Sequence, residues 1–456
     1  MSDKVNKSYG SSPLPTFTSI SSIAVIVGIV VGIGIFRLPP IVAGNSESGL
    51  QFLLFWVAGG FISLLGALCY AELASSNPDS GGEYHFLTKA YGHGVGFLFT
   101  WGRMTVIQTG SLALVSFILG DYATLVFDLG KYSSAIYAAL TIILLTALNI
   151  TGTTHSRKTQ MVLTSIIVGI IIIISLAGLI SGRTGGGSGL TETVTGSFWG
   201  GMPGAAMIFV LLTYGGWNEA AYLSGELINV KRNMIRVLVF GIATITLLYL
   251  LINVAYLHIL GLEGLQQSQT VGVDLTAPVF GTAGSFIVAA IVVLAALSTA
   301  NATIITGART NYALGRDYNL LKFMGRWDSK RNTPVNALLV QGTIALLLII
   351  FGAWSKKAVE TMVDYTAPVF WLFLLLTTTS LFILRRKNKD KEIPYKVPLY
   401  PITPLLFIAT CGFMLYSSLA FTGKGALIGA GFLVLGIPVY LLMHSQKKPA
   451  DYMPPV

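Results

Sequence analysis

GIVVGIGIF, residues 28–36, lies in the middle of an apolar run that extends from Ile20 to Pro39. Glycine inside a helix costs roughly 1 kcal/mol relative to alanine, and it lets the backbone come close to whatever lies beside it. A segment that places Gly32 and Gly34 at its centre, with no polar side chain between them, gives up helix stability for backbone access. Its reading turns on what that backbone touches.

The surrounding chain sets the class. Of 456 residues, 53% are hydrophobic and only 11% charged, with a mean hydropathy of +0.72. Soluble domains carry about 25% charged residues, so an ordinary soluble protein is excluded. A bilayer crossing takes about 20 mostly apolar residues. Windows of that length predict twelve crossings, at roughly 17–43, 49–74, 94–126, 134–152, 159–181, 201–228, 234–260, 284–310, 334–353, 358–384, 402–422 and 425–444. The expected fold is an all-α polytopic membrane protein with twelve transmembrane helices, here called spans 1 to 12.

The net charge of +10 follows from topology. With both termini placed in the cytoplasm, 22 of the 29 Lys and Arg fall on the cytoplasmic side. They cluster at Arg157/Lys158, Lys231/Arg232, Arg309 to Arg331 and Arg385 to Lys396, whereas Lys131, Arg183, Lys356, Lys357 and Lys424 fall outside. This is the positive-inside asymmetry, and it accounts for the basic balance without a nucleic-acid partner. The polar N-terminus precedes an apolar segment too long for a signal-peptide core, so no cleavage is expected. Cys69 and Cys411 lie in separate apolar spans and read as small core residues. GRTGGGSGL (182–190) lacks the GK[ST] ending of a phosphate loop and reads as a flexible external loop. The sequons at Asn6, Asn149 and Asn301 fall in or near cytoplasmic or membrane segments and read as chance matches.

The first glycine pair has a counterpart. FVLLTYGGWNEAAYL (209–223) places Gly215 and Gly216 in the middle of span 6, and each pair lies in the first span of a five-span block. Glycine-interrupted segments at corresponding places in two halves point to a transporter site built from inverted repeats. Backbone groups freed by such a break cannot be left bare in hydrocarbon, so they line a cavity and bind something. The second half of span 1 begins near Ile33 and turns its free N–H groups and positive dipole end toward the break, which suits a carboxylate. The carbonyls of Val30 and of the Leu212 to Gly215 stretch suit an ammonium. A zwitterionic α-amino acid satisfies both without a charged side chain. The bland alternative is that the glycines are packing notches where helices cross.

YGGWN (214–218) followed by GELINVKRN (225–233) resembles the span-6 signature of the L-type amino acid transporters, within the amino acid–polyamine–organocation superfamily. GIVVGIGIF, LINVAYL (251–257) and TGARTNYALGRDYNLLKFMGRWDSKRNTPVNAL (306–338) agree, and the likeness covers about residues 17 to 445. The resemblance implies a five-plus-five inverted repeat with broken helices 1 and 6, and secondary active transport of neutral L-amino acids. The repeats would occupy 17–181 and 201–384, joined by the external loop 182–200. A basic cytoplasmic loop at 385–401, helices 11 and 12 at 402–445, and tails at 1–16 and 446–456 would complete the chain. It further implies a carboxylate held on the amides of Ile33 and Gly34, and an ammonium on the carbonyls of Val30, Leu212 and Gly215, with Gly216 beside them. Two positions depart from the pattern. Ile33 stands where these exchangers usually have serine, and Leu212 stands where an aromatic gate is expected, leaving Trp217 as a gate candidate or a packing residue. Some relatives bind a heavy chain through an external cysteine; neither cysteine here falls in a predicted external loop, so no disulfide-linked partner is expected.

Many sodium-independent relatives carry a span-5 lysine whose ammonium replaces a bound cation. Aligned on Gln160 and Thr164, that position is Ile167, and QMVLTSIIVGIIIIIS (160–175) has no ionisable residue. LAALSTAN (294–301) in span 8 offers Ser298 and Thr299, with Ala295 one turn earlier. Sodium takes hard oxygen ligands. With the carbonyls of Gly28, Val31 and Ala295, the two hydroxyls resemble the sodium site between spans 1 and 8 of the sodium symporters. Sodium-coupled symport is therefore expected. Ile35 removes the polar side chain that a second sodium site would need. The alternatives are helix hydroxyls bonded to their own backbone, sodium-independent exchange, and proton coupling through Glu219 or Glu226. Glu226, beside Lys231 and Arg232, also suits an ion pair in an inner gate. Arg103 in span 3 demands a partner that the sequence does not name.

Two other classes fit less well. A channel would need polar stripes, which spans 5 and 12 lack. An enzyme would need catalytic spacing, and the histidines at 85, 93, 155, 258 and 444 are scattered without HExxH. The expected location is the plasma membrane, with both termini cytoplasmic.

Overall fold

A computed structural model describes residues 15–180, 203–268, 271–353, 358–388, 392–422 and 424–444. The Gly-rich loop and nearly all of both tails lie outside them. Among the described residues, ten helices are long and apolar enough to cross a membrane. They account for spans 1 to 5 and 7 to 11. Span 12 is Lys424–His444, with a shorter apolar stretch at Gly429–Met443. Span 6 is not a continuous helix: α-helix Pro203–Thr213 gives way, after three residues, to 3-10 helix Trp217–Glu226. The structure is thus an all-helical multi-pass membrane protein.

Span 1 starts at a strong signal. Thr18 accepts from the Ser21 amide at 3.2 Å while the Ser21 hydroxyl takes the Thr18 amide at 2.9 Å, a reciprocal cap worth about 1 kcal/mol. The helix Ser19–Val30 then stops, and a short helix Gly34–Arg37 resumes after the break. Span 7, Val230–Gln267, runs beyond its predicted end and bends at Gly261, where φ is +67°. Span 3 holds a π-helical turn at Arg103–Ile107, a local widening that often marks a functional position.

Span 1 lies between spans 5, 7 and 8, and span 7 packs along span 2. The core formed there is mostly aliphatic, with Trp56, Tyr214, Tyr249 and Tyr256 fully buried. Spans 4, 5, 9, 11 and 12 turn residues such as Leu144, Ile173, Phe351, Leu405 and Leu442 outward, as a bilayer-facing surface requires. At one end of the bundle, the chain before span 1 crosses the end of span 6. Thr16 and Phe17 both donate to the Glu226 carbonyl at 3.0 Å, and Ile228 donates back to Phe17 at 2.9 Å. A separate helix, Glu83–Tyr91, joins spans 2 and 3.

Candidate functional site

The two breaks meet. In span 1, Val31 closes the last helical bond to Val27, and Gly32 folds back onto the Val30 carbonyl at 2.8 Å. No backbone acceptor among the described residues takes the amides of Ile33 and Gly34. In span 6, Gly215 donates to the Leu212 carbonyl at 3.2 Å, and Gly216 adopts φ +110°. An L side chain is strained at that angle, and a Cβ on Gly216 would stand 2.5 Å from Ile29 Cγ2 of span 1. In return, a Cβ on Gly34 would stand 3.1 Å from Thr213 Cγ2 of span 6. Each break therefore uses a glycine to admit the other.

Tyr249 of span 7 joins them. Its hydroxyl lies 2.6 Å from the Val30 carbonyl and 3.0 Å from the Thr213 carbonyl. The Val30 carbonyl assigned to an ammonium thus already accepts from Gly32 and Tyr249 in this conformation. Among the other substrate candidates, Ile33 is buried and Leu212 is 43% exposed, its carbonyl taken by Gly215. Trp217 packs edge-on against Tyr70 and Phe407, at centroid distances of 5.2 and 5.8 Å, and against Gly66. In this conformation its indole wedges span 6 against spans 2 and 11. Together with Gly215 and Asn218 it also lines a small cavity closed by Ser63, Phe370 and Trp371.

On the far side of span 1, Gly28, Ser298 and Thr299 come together. Thr299 Oγ1 lies 3.1 Å from the Gly28 carbonyl and 3.4 Å from that of Ile29. Ser298 accepts from Gln160 Nε2 at 2.9 Å, and Thr164 lies 3.4 Å from the same hydroxyl. A Cβ on Gly28 would fall within 2.6 Å of Gln160 Nε2, Thr164 Oγ1 and Ser298 Oγ, so only glycine lets span 1 approach these polar groups. Val31 and Ala295 are buried, but no hydrogen bond ties their carbonyls to this group. The donor set, a carbonyl and two hydroxyls on facing helices, is chemically suited to a hard monovalent cation. Ile167 is buried in the aliphatic core nearby with Ile171 and Ile174. From Ser298 the polar contacts continue through Gln160 and Asn301 to Asn149 and Ser156.

The charged groups find definite partners. Arg103 bonds Glu219 at 2.5 Å and Thr310 at 3.1 Å, with its guanidinium 4.0 Å above the Tyr222 ring. Glu226 is held not by the neighbouring Lys231 and Arg232 but by Arg309 of span 8, through contacts of 2.5 and 3.0 Å. Three residues escaped the sequence reading: Tyr249, Gln160 as a ligand of Ser298, and Glu83. Tyr249 left one signal, since a buried tyrosine hydroxyl in an apolar span needs an acceptor. Glu83 falls between the predicted spans 2 and 3, where an acidic side chain is ordinarily solvated.

Comparison with known proteins places the chain among amino acid transporters. The amino acid permease family matches residues 17–442. The b(0,+)-type amino acid transporter 1 of Mus musculus is 34% identical over 393 residues, covering 85% of this chain and 80% of that protein. The large neutral amino acids transporter small subunit 2 of Homo sapiens is 28% identical, covering 94% and 81%. The serine/threonine exchanger of Bacillus subtilis (strain 168) is 26% identical, covering 93% and 96%. These relatives are membrane transporters, not enzymes.

Proposed function

This chain belongs to the amino acid permease family, and from that premise we propose that it carries neutral L-α-amino acids by alternating access at the paired breaks of spans 1 and 6. The observation that carries the reading is the Tyr249 hydroxyl, shared between the Val30 and Thr213 carbonyls. A substrate carboxylate binds the amides of Ile33 and Gly34, at the positive end of the helix that begins there. The substrate ammonium takes the carbonyls of Val30, Leu212 and Gly215. As it reaches Val30, Tyr249 turns its proton to Thr213, so the exchange leaves no buried donor unmet. Gly216 keeps the two breaks in contact, and Trp217 anchors the moving half of span 6. The site holds no charged side chain among these residues, which selects neutral substrates. The two five-span blocks act as inverted repeats, and the basic end faces the cytoplasm at the plasma membrane.

Sodium is proposed as a coupling ion, bound by Ser298, Thr299 and the carbonyls of Gly28, Val31 and Ala295. The absence of an ammonium at Ile167 supports this. A second reading, sodium-independent exchange, draws on a different observation: Thr299 and Ser298 already have hydrogen-bond partners within the protein. Competition assays on protein in liposomes test the substrate reading. Free neutral L-amino acids should displace a labelled one, whereas their methyl esters and N-acetyl derivatives should not. Equal competition by a methyl ester would overturn the carboxylate assignment. The same assay in sodium and in choline separates symport from exchange.

A further inference from the structure

Below the span-6 break, a carboxyl group is enclosed that the substrate site does not use. Glu83 begins the helix between spans 2 and 3 and is buried. Tyr70 of span 2 donates to its Oε1 and Tyr222 of span 6 to its Oε2. The Asn218 amide stands 3.4 Å from Oε1 and 3.5 Å from Oε2. Arg103 of span 3 keeps 3.9 Å from Glu83 while it bonds Glu219 of span 6 at 2.5 Å. One guanidinium therefore faces two carboxyl groups, and among the described residues neither has a second cation.

Two ionised carboxylates against one guanidinium leave a net negative charge away from water. A buried group in that position neutralises by taking a proton. Glu219 holds the short contact with Arg103, so the proton belongs on Glu83. Burial pushes the Glu83 carboxyl above the ordinary carboxylate range, against the opposing pull of Arg103, Tyr222 and Tyr70.

We propose that Glu83 is a proton-binding site of the transport cycle, loaded with substrate and emptied when the Trp217–Glu226 segment moves. This rests on the carrier reading above. When Glu83 is ionised, both phenols donate to it. A proton arriving from water forms a new O–H bond on Oε1, which donates to the Tyr70 oxygen and turns the Tyr70 proton away. Thr377 of span 10 stands against that phenol, and among the described residues its buried hydroxyl has no other partner. It is the acceptor that the turned proton needs. Unloading reverses each step and returns the proton to water. The link to substrate is mechanical: Asn218 and Tyr222, which touch Glu83, sit on the segment that starts at the Gly216 break.

Two measurements on the full chain in liposomes test this. The first is infrared titration, which reads the carbonyl stretch of a protonated carboxylic acid without any substrate. Wild type should keep such a band above the pH at which ordinary carboxylates ionise, and Glu83→Gln should lose it. Glu219→Gln frees Arg103 to pair with Glu83, so its midpoint should move to lower pH. An absent band, or one that survives in Glu83→Gln and vanishes in Glu219→Gln, overturns the proposal. The second is uptake of labelled L-leucine with a trapped pH indicator. A lumen made alkaline should raise initial uptake several-fold in wild type and acidify as substrate enters. Glu83→Gln should retain leucine counterflow and lose both effects; persistence of either in the variant overturns the proton site. Failure of counterflow with every neutral amino acid sinks the carrier reading instead, while the infrared titration still decides the proton.

Discussion

Tyr249 donates its hydroxyl to the carbonyl of Val30 at 2.6 Å, across 219 residues of sequence. The same oxygen is 3.0 Å from the Thr213 carbonyl, so one phenol spans the ends of both broken helices. Inside a membrane core, a carbonyl left at a helix end has no water to turn to. The phenol both satisfies the breaks and fixes their separation.

Removing it should be costly. Tyr249→Phe keeps the ring, with its edge contacts to Tyr214 and Trp56 at 5.0 and 5.7 Å, and deletes only the donor. A buried acceptor left unmet costs about 1–3 kcal/mol. Detergent-solubilised variant should therefore melt lower than wild type, and it should bind substrate about 5- to 100-fold more weakly. Unchanged affinity would show that the bridge plays no part in the site.

Gly216→Ala should fail for two separable reasons. The αL-side backbone penalises any side chain by about 1–3 kcal/mol, and the new Cβ would meet Ile29 Cγ2 at 2.5 Å. Adding Ile29→Ala relieves only the collision, so the double variant should recover part of the lost binding. Gly34→Val meets Thr213 Cγ2 first at 3.1 Å. It should abolish binding yet leave a folded protein, as judged by a symmetric size-exclusion peak.

These glycines were legible because glycine at the centre of an apolar run weakens the helix, a cost that close backbone approach offsets. The partners were not. Arg103 and Glu219 stand 116 residues apart in different spans, and no periodicity within either span says which side chains face each other. The same holds for Glu226, whose sequence neighbours Lys231 and Arg232 suggested a pairing that Arg309 in fact makes. Glu83 was invisible because a loop acid is normally solvated; only the fold reveals that Tyr70 and Tyr222 close over it.

The Glu226–Arg309 pair yields an asymmetric prediction. Both side chains are buried, and Arg309 also lies 5.6 Å from the Phe17 ring. Breaking a buried pair by removing one charge costs about 3–5 kcal/mol, because the other is left uncompensated. Glu226→Gln should thus destabilise the folded protein strongly. Glu226→Gln with Arg309→Met should melt closer to wild type than the single variant does.

Acid should weaken a second pair at the same end of the bundle. Asp79 meets Arg316 at 3.1 and 3.2 Å and accepts from the Gly81 amide at 2.7 Å. Burial works against its charge, but Arg316, His85 and the amide outweigh it and hold the carboxyl below the ordinary carboxylate range. Burial in turn lowers the His85 pKa, which leaves Arg316 as the cation at neutral pH. A depressed carboxylate contributes stability above its unfolded pKa, near 4, and loses it as pH falls through the folded value. Wild type should out-melt Asp79→Asn at neutral pH, and the gap should close under acid. Arg316 is partly exposed, so the difference should stay within about 1 kcal/mol.

The proposed sodium site gives the most discriminating test. Thr299 Oγ1 reaches the Gly28 carbonyl at 3.1 Å, and Ser298 faces the same stretch of span 1 through Gln160 and Thr164. A sodium ion held there would tie span 1 to span 8 and order the broken segment that binds substrate. Sodium would then raise substrate affinity, and substrate would raise sodium affinity by the same factor, typically about 5- to 150-fold. Thr299→Ala removes one ligand oxygen, so it should reduce the sodium effect more than it reduces binding at saturating sodium. Ile167→Lys introduces an ammonium into the aliphatic core where Ile167 is buried. Close to the same oxygens, that charge should make the remaining binding insensitive to sodium. Substrate affinity of wild type and both variants, measured in sodium and in choline, decides the matter. Equal wild-type affinity in the two salts would leave Ser298 and Thr299 as helix hydroxyls satisfied by Gln160 and Gly28, and the carrier as independent of sodium.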